Sequence, residues 1–183
     1  MGLISLKLHN EADTAKLASL LAHSLCQPPA NNVVLLMGPL GSGKTTFVRH
    51  LVGNLPGSNE AEVASPSFTL CNIYPTNPVV LHYDLYRLPP GCSDDSLEEA
   101  LEAVEMPTPK QLAQTQLAQP GKLVLIEWAE HMAQNTIPVN RLEIYWHIVE
   151  HGQEQTREVV IKAEGTAAEL AFFKINLEEM FLN

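Results

Sequence analysis

The segment "NNVVLLMGPLGSGKTTFVRHLV" constrains the chain more than any other, because an apolar run, a glycine-rich turn and a helical pattern follow one another without a break. Val33 to Leu36 are consecutive apolar residues, the composition of a strand buried on both faces. Beyond the turn, Phe47, Val48, Leu51, Val52 and Leu55 recur at helical spacing. A buried strand that feeds a helix through a short turn belongs to α/β architectures, in which helices cover a sheet.

Within that turn, "GPLGSGKT" fits the phosphate-binding pattern G-x-x-x-x-G-K-[ST], with Gly38, Gly43, Lys44 and Thr45 in the required places. Glycines permit backbone conformations closed to other residues and let N–H groups gather around phosphate oxygens. The helix that follows points its positive dipole end at the same anion. In such a loop Lys44 reaches the β- and γ-phosphates and the Thr45 hydroxyl ligates Mg²⁺. The plain alternative is a glycine turn with no ligand, and the flanking strand and helix favour the phosphate site.

The remaining pattern is that of one domain spanning residues 1–183. "LISLKLH" has strand spacing at Leu6 and Leu8, Asn10 is a good N-cap, and Leu17, Leu21 and Leu25 predict a helix that stops by Pro28 and Pro29. Residues 53–66 read as a loop, and "SFTLCNIY" and "VVLHYDLYRL" as strands around the turn "PTNP". Asp94 to Met106 predicts an acidic helix, and 107–120, within the glutamine-rich "PTPKQLAQTQLAQPG", a surface insertion. "KLVLIEWAE" predicts a further buried strand, and "RLEIYWHIVEHGQEQTREVVIKA" two strands around a polar turn. Thr166 to Glu169 fits a capping box that opens a terminal helix. The expected fold is a P-loop NTPase-like three-layer α/β domain whose sheet is mixed because of its C-terminal hairpin strands.

Composition narrows the partners. The 183 residues carry a formal net charge of -10, which repels a nucleic-acid backbone, so unaided nucleic-acid binding is disfavoured and a protein partner fits more easily. No apolar run approaches the roughly 20 residues of a membrane span, and the amino terminus shows no export signal, so a cytoplasmic location is expected. Cys26, Cys71 and Cys92 show no CxxC pairing and are read as free thiols.

A phosphate loop needs a further acid to hold magnesium or orient water, commonly at the end of a neighbouring buried strand. Glu127 follows the apolar run 123–126, which belongs at the centre of the sheet, and Asp84 ends "VVLHYD". For each the bland reading is a carboxylate facing solvent. "SPSFTL" adds the hydroxyls of Ser65, Ser67 and Thr69, although serine beside proline is ordinarily just a turn. His82 reads first as a packed strand residue. Arg87 reads first as the partner of a carboxylate, and second as a cis arginine near the γ-phosphate.

Taken in order, "GPLGSGKTT", "SPSFTL", "HYDLYRL" and "LIEWAE" resemble the TsaE family, also called YjeE, the bacterial ATPase of tRNA threonylcarbamoyladenosine biosynthesis. The resemblance spans roughly residues 6–165 and implies ATP and Mg²⁺ as ligands. It implies that Gly41, Ser42, Gly43, Lys44, Thr45 and Thr46 cradle the phosphates, with Thr45 and Glu127 at the metal. It places Asp84 in the H-x-D-x-Y-R motif, Trp128 on a tryptophan needed for activity, Glu11 near the nucleotide, and the hairpin around Thr156 over the base. The implied partners are the TsaB and TsaD subunits of the transferase complex. Pro39 departs from the family, whose members often carry an acid there, and removes one N–H from the loop. The stretch 89–122 is longer than usual.

Two other readings use the same loop. A small-molecule kinase would take Asp84 as base for an acceptor hydroxyl, and a nucleotide-sensing module would bind without appreciable hydrolysis. A GTPase is disfavoured, because the chain has no N-K-x-D base-reading motif.

Overall fold

The computed structural model describes residues 2–26, 32–92, 94–104, 121–151 and 154–165. The strands are β1 (Gly2–Leu8), β2 (Asn32–Met37), β3 (Cys71–Tyr74), β4 (Val79–Asp84), β5 (Lys122–Glu127), β6 (Arg141–His151) and β7 (Glu154–Glu164), and the helices α1 (Glu11–Leu25), α2 (Lys44–Gly53) and α3 (Asp95–Glu102). The insertion 107–120 and the capping box at Thr166 to Glu169 lie outside the described residues.

The strands form one seven-stranded sheet in the order β1-β7-β6-β2-β5-β4-β3. β2 runs parallel to both β5 and β6, and β4 runs parallel to β5. The pairs β1/β7, β6/β7 and β3/β4 are antiparallel, so the sheet is mixed, as the hairpin pattern required. The two most apolar runs are its central strands. Val33 to Leu36 of β2 and Leu123 to Ile126 of β5 are all buried, because helices cover both faces there.

Alternation along the strands divides the core in two. Val34, Leu36, Leu123, Leu125 and Ile144 face α1 and α2, joined by Phe47, Leu51 and Trp146. Val33, Leu35, Val124 and Ile126 face the other way, against Leu97, Ala100 and Leu101 of α3. Each fully buried leucine or isoleucine contributes about 1.5–3 kcal/mol by leaving water. These helix, sheet and helix layers are the expected architecture.

Local chemistry fixes the helix starts. Asn10 caps α1 by accepting the Asp13 N–H at 3.0 Å, and the Asp13 carboxylate accepts the His9 N–H at 2.7 Å. Asp94 caps α3 through the N–H groups of Ser96 and Leu97. Tyr83 of β4 donates its hydroxyl to the Ser96 carbonyl at 3.0 Å, and its burial pushes the phenol up to about 12. That bond fastens α3 to the strand that ends in Asp84.

One element is shorter than the alternation predicts. "SFTLCNIY" becomes a strand only at Cys71, because the N–H groups of Thr69 and Leu70 both bond the Pro66 carbonyl. Leu70 leaves that turn at φ 67°, a left-handed conformation that breaks the strand before it. No helix among the described residues is long and apolar enough to cross a membrane.

Candidate functional site

Parallel pairing brings three strand ends to one edge. Leu36 of β2 lies beside Glu127 of β5, and Glu127 beside Asp84 of β4. In open α/β sheets ligands bind in the crevice outside such carboxyl ends. The glycine turn leaves β2 at this edge.

Two of its glycines are required by geometry. Gly38 has φ 136°, and a Cβ there would lie 2.4 Å from the Trp146 carbonyl oxygen of β6. Gly43 has φ 109° and rests 3.6 Å, at its Cβ position, above the Trp146 ring. Trp146 in turn packs on Phe47 of α2 at 5.6 Å between ring centroids. The loop therefore sits on a fixed aromatic floor, where only glycine allows the approach at position 38 and the left-handed φ favours glycine at position 43.

The helix beyond it begins bare. α2 has no side-chain cap at Gly43 and no acidic residue in its first turn, unlike α1 and α3. Its first N–H groups have no side chain to satisfy them, and they carry the positive end of the helix dipole. The Ser42 hydroxyl in the same turn is buried and finds no hydrogen-bond partner among the described residues. A bare helix start beside an orphaned donor is a surface made for an anion.

Lys44 lies under this turn, 4% exposed. Its ammonium donates to the carbonyls of Gly38 at 2.6 Å and Pro39 at 3.0 Å and stands 4.3 Å above the Trp128 ring. Burial pushes its pKa down, and the charges of Glu127, Glu130 and Asp84 offset part of that. Trp128 holds its place through a left-handed backbone, φ 58°, with Tyr86 against it at 4.9 Å between centroids.

The next residue of α2 reaches the acids. Thr45 donates its hydroxyl to Glu127 Oε2 at 2.8 Å. His82 presents Nε2 to Glu127 Oε1 at 3.0 Å. Asp84 accepts the Ser65 hydroxyl on Oδ2 at 2.5 Å and the Tyr86 N–H on Oδ1 at 3.0 Å. Glu127 is 2% and Asp84 5% exposed, so neither is a carboxylate facing solvent.

Other residues named from the sequence fall around this centre in different ways. Thr46 is half-buried on α2, and Gly41 is exposed at the tip of the loop. Of the three hydroxyls in "SPSFTL", that of Ser65 bonds a site acid, whereas Thr69 turns away to Asn72 at 3.2 Å and Ser67 is half-buried in the turn. Glu11 pairs with His50 of α2 at 3.0 Å. Thr156 is buried with its hydroxyl unpartnered among the described residues. The Arg87 guanidinium lies 3.9 Å from the centroid of the exposed Phe68 ring, and among the described residues it is not paired with a carboxylate, which was its first reading.

Two residues of this neighbourhood escaped the sequence reading. Arg157 of β7 extends Nη2 toward the Gly41 carbonyl at 3.5 Å, which brings a cation to the tip of the loop. Its signal was a basic residue directly after the polar hairpin turn, next to the Thr156 already singled out. Glu130 accepts the Gly38 N–H at 3.3 Å, three residues beyond Glu127. Its signal was the second acid of "LIEWAE".

The donors suit a hard divalent cation, since a hydroxyl and a carboxylate offer oxygen alone. Among the described residues no group of three or more His, Cys, Asp or Glu side chains could hold a metal ion by itself. Magnesium is commonly held by one or two protein oxygens together with substrate phosphates, so Thr45 and Glu127 are a sufficient protein share.

Comparison with known proteins places this arrangement. The family model described as "Threonylcarbamoyl adenosine biosynthesis protein TsaE" matches residues 8–159. A Rickettsia felis protein named tRNA threonylcarbamoyladenosine biosynthesis protein TsaE is 41% identical over 126 residues, covering 67% of this chain and 61% of its own. An Aquifex aeolicus protein of the same name is 42% identical over 99 residues, 54% of this chain and 72% of its own. The chain spans 61% and 59% of the length of two of the Rickettsia relatives it matches, and 72% to 81% of three others. The crystal structure of Bacillus subtilis YdiB superposes with a TM-score of 0.58 over 97% of this chain and 93% of that one, and at 24% identity this shows a shared fold. With the family model matched from the last residue of β1 into β7, the chain belongs to the TsaE family.

Proposed function

We propose that the chain is a Mg²⁺-dependent ATPase that serves the synthesis of N6-threonylcarbamoyladenosine at position 37 of tRNAs. The observation that carries the reading is the 2.8 Å bond from Thr45, second residue of the bare helix, to the buried strand-end Glu127, with Asp84 paired beside it. A loop that merely bound phosphate would have no use for two buried carboxylates at its mouth. They are costly to bury and are suited to metal and water chemistry.

In this reading the N–H groups from Gly41 to Thr46 and the Lys44 ammonium hold the phosphate chain. Thr45 and Glu127 hold magnesium, which when bound offsets charge on the phosphate oxygens. Asp84 or Glu127 orients a water against the γ-phosphorus. As the new P–O bond forms, the bond to the β-phosphate oxygen breaks and ADP leaves. The hairpin around Thr156, with Arg157, closes over the base, Glu11 lies near the nucleotide, and Trp128 keeps Lys44 at the phosphates. Ser65 sets the orientation of Asp84 from a switch-like loop that also carries Ser67 and Thr69.

Hydrolysis would reset the transferase complex for another turnover through contacts with TsaB and TsaD. A chain with net charge -10 engages protein partners in the cytoplasm more readily than it grips tRNA. The test is phosphate release from Mg–ATP by the parent and by Lys44→Ala, with and without the two subunits. The proposal expects release that the subunits modulate and that Lys44→Ala abolishes. Release unchanged in Lys44→Ala would overturn the site. An acceptor-dependent rise in turnover would favour the kinase, and no release with or without the subunits would favour the binding module.

A further inference from the structure

His82 is fully buried, yet both of its ring nitrogens face polar atoms. Nε2 lies 3.0 Å from Glu127 Oε1 and Nδ1 lies 3.4 Å from the Tyr74 hydroxyl. The Tyr74 hydroxyl also donates to the Ala64 carbonyl at 3.1 Å, and Ala64 directly precedes Ser65, the residue bonded to Asp84. Each acid therefore has its own route: Ser65 to Asp84, and His82 to Glu127, because the one proton of the Tyr74 hydroxyl is given to Ala64 and leaves none for Nδ1.

The second route has a job that packing alone does not require. Glu127 has two carboxylate oxygens, and Thr45 occupies Oε2. With Oε1 unbonded the carboxylate would be free to rotate about its last torsion, a broad and soft one. Thr45 would then keep no fixed oxygen. A carboxylate oxygen only accepts, so the imidazole must present N–H at Nε2.

We propose that His82 is the positioning residue of Glu127. It locks the carboxylate with Oε2 toward Thr45. The role in turnover rests on the ATPase reading above, whereas the hydrogen bond and its direction do not. Oriented ligands of this kind owe much of their competence to the partner behind them, and loss of such a partner typically costs about 10- to 100-fold in metal affinity or activity.

Two measurements test the proposal and separate it from the ATPase reading. In the first, His82→Leu keeps an apolar filling and removes the donor, whereas His82→Gln restores an N–H near the Nε2 position. The expected result is kcat lower by about 10- to 100-fold in His82→Leu with the KM for ATP within about threefold of the parent, and recovery of most of that loss in His82→Gln. Equal losses in both variants, or a loss confined to KM, would overturn it. The second is the ¹⁵N imidazole spectrum of the parent near neutral pH, which needs no turnover and no variant that folds. A proton on His82 Nε2 supports the proposal and an unprotonated Nε2 refutes it. A parent that releases no phosphate removes the ATPase reading and leaves the spectrum to decide the histidine.

Discussion

Replacing Lys44 by methionine separates what the residue does for the fold from what it does for a ligand. Lys44 is 4% exposed, and its lowered pKa means that burial outweighs the attraction of Glu127, Glu130 and Asp84. The charge is therefore a net cost to the chain without nucleotide, and methionine, of similar length, relieves it. Against that stand the carbonyls of Gly38 and Pro39, each losing a charge-assisted hydrogen bond worth about 1.5–3 kcal/mol. The loss is bounded at about 6 kcal/mol and the relief acts against it, so without ligand Tm should fall by no more than about 24 °C for a domain of this size, and can rise. Saturating Mg–ATP reverses the order. At a hundredfold excess over Kd the parent gains about 2.7 kcal/mol, or roughly 5–11 °C, and Lys44→Met gains nothing. The assay is a pair of thermal melts for each protein, with and without nucleotide. A fall well beyond about 24 °C in the ligand-free variant would refute the reasoning, because it would make Lys44 a structural cation, and so would a variant stabilised by nucleotide as much as the parent.

Two further perturbations probe the frame around the site. Gly38→Ala places a Cβ 2.4 Å from the Trp146 carbonyl at φ 136°, so it should displace the loop, abolish nucleotide binding and cost about 3 kcal/mol or more; titration of a fluorescent nucleotide and a urea melt would show both. Tyr83→Phe probes alkaline stability. The folded phenol titrates near 12 against an ordinary 10, so between those values the unfolded chain binds fewer protons and stability falls as pH rises. The parent should lose about 3 kcal/mol across that window that Tyr83→Phe does not lose, and parallel pH curves for the two would contradict the burial of the phenol.

The sequence carried most of the frame because its signals were local. Val33 to Leu36 and Leu123 to Ile126 are apolar on both faces and could only be central strands, and the paired glycines between strand and helix marked the loop. Glu127 and Asp84 were visible as acids that end apolar runs, which in a parallel sheet places them at one edge. What stayed hidden depended on contacts distant in the chain. The stacking of Arg87 on Phe68, the bond of His82 to Glu127 and the reach of Arg157 to Gly41 each depend on register and loop path, which no periodicity encodes. The false start of β3 had a local cause. "SFTL" has strand composition, but the Pro66 carbonyl captures the N–H groups of Thr69 and Leu70 and bends the chain until Cys71.

The central claim is that the buried acids at the strand ends act on ATP beyond merely holding it. Parallel titrations of nucleotide affinity and phosphate release on the parent and Glu127→Ala test it most directly. The account predicts that Glu127→Ala keeps its ATP Kd within about tenfold of the parent while turnover falls by about a hundredfold or more. Equal losses in affinity and turnover, or turnover unchanged, would contradict it.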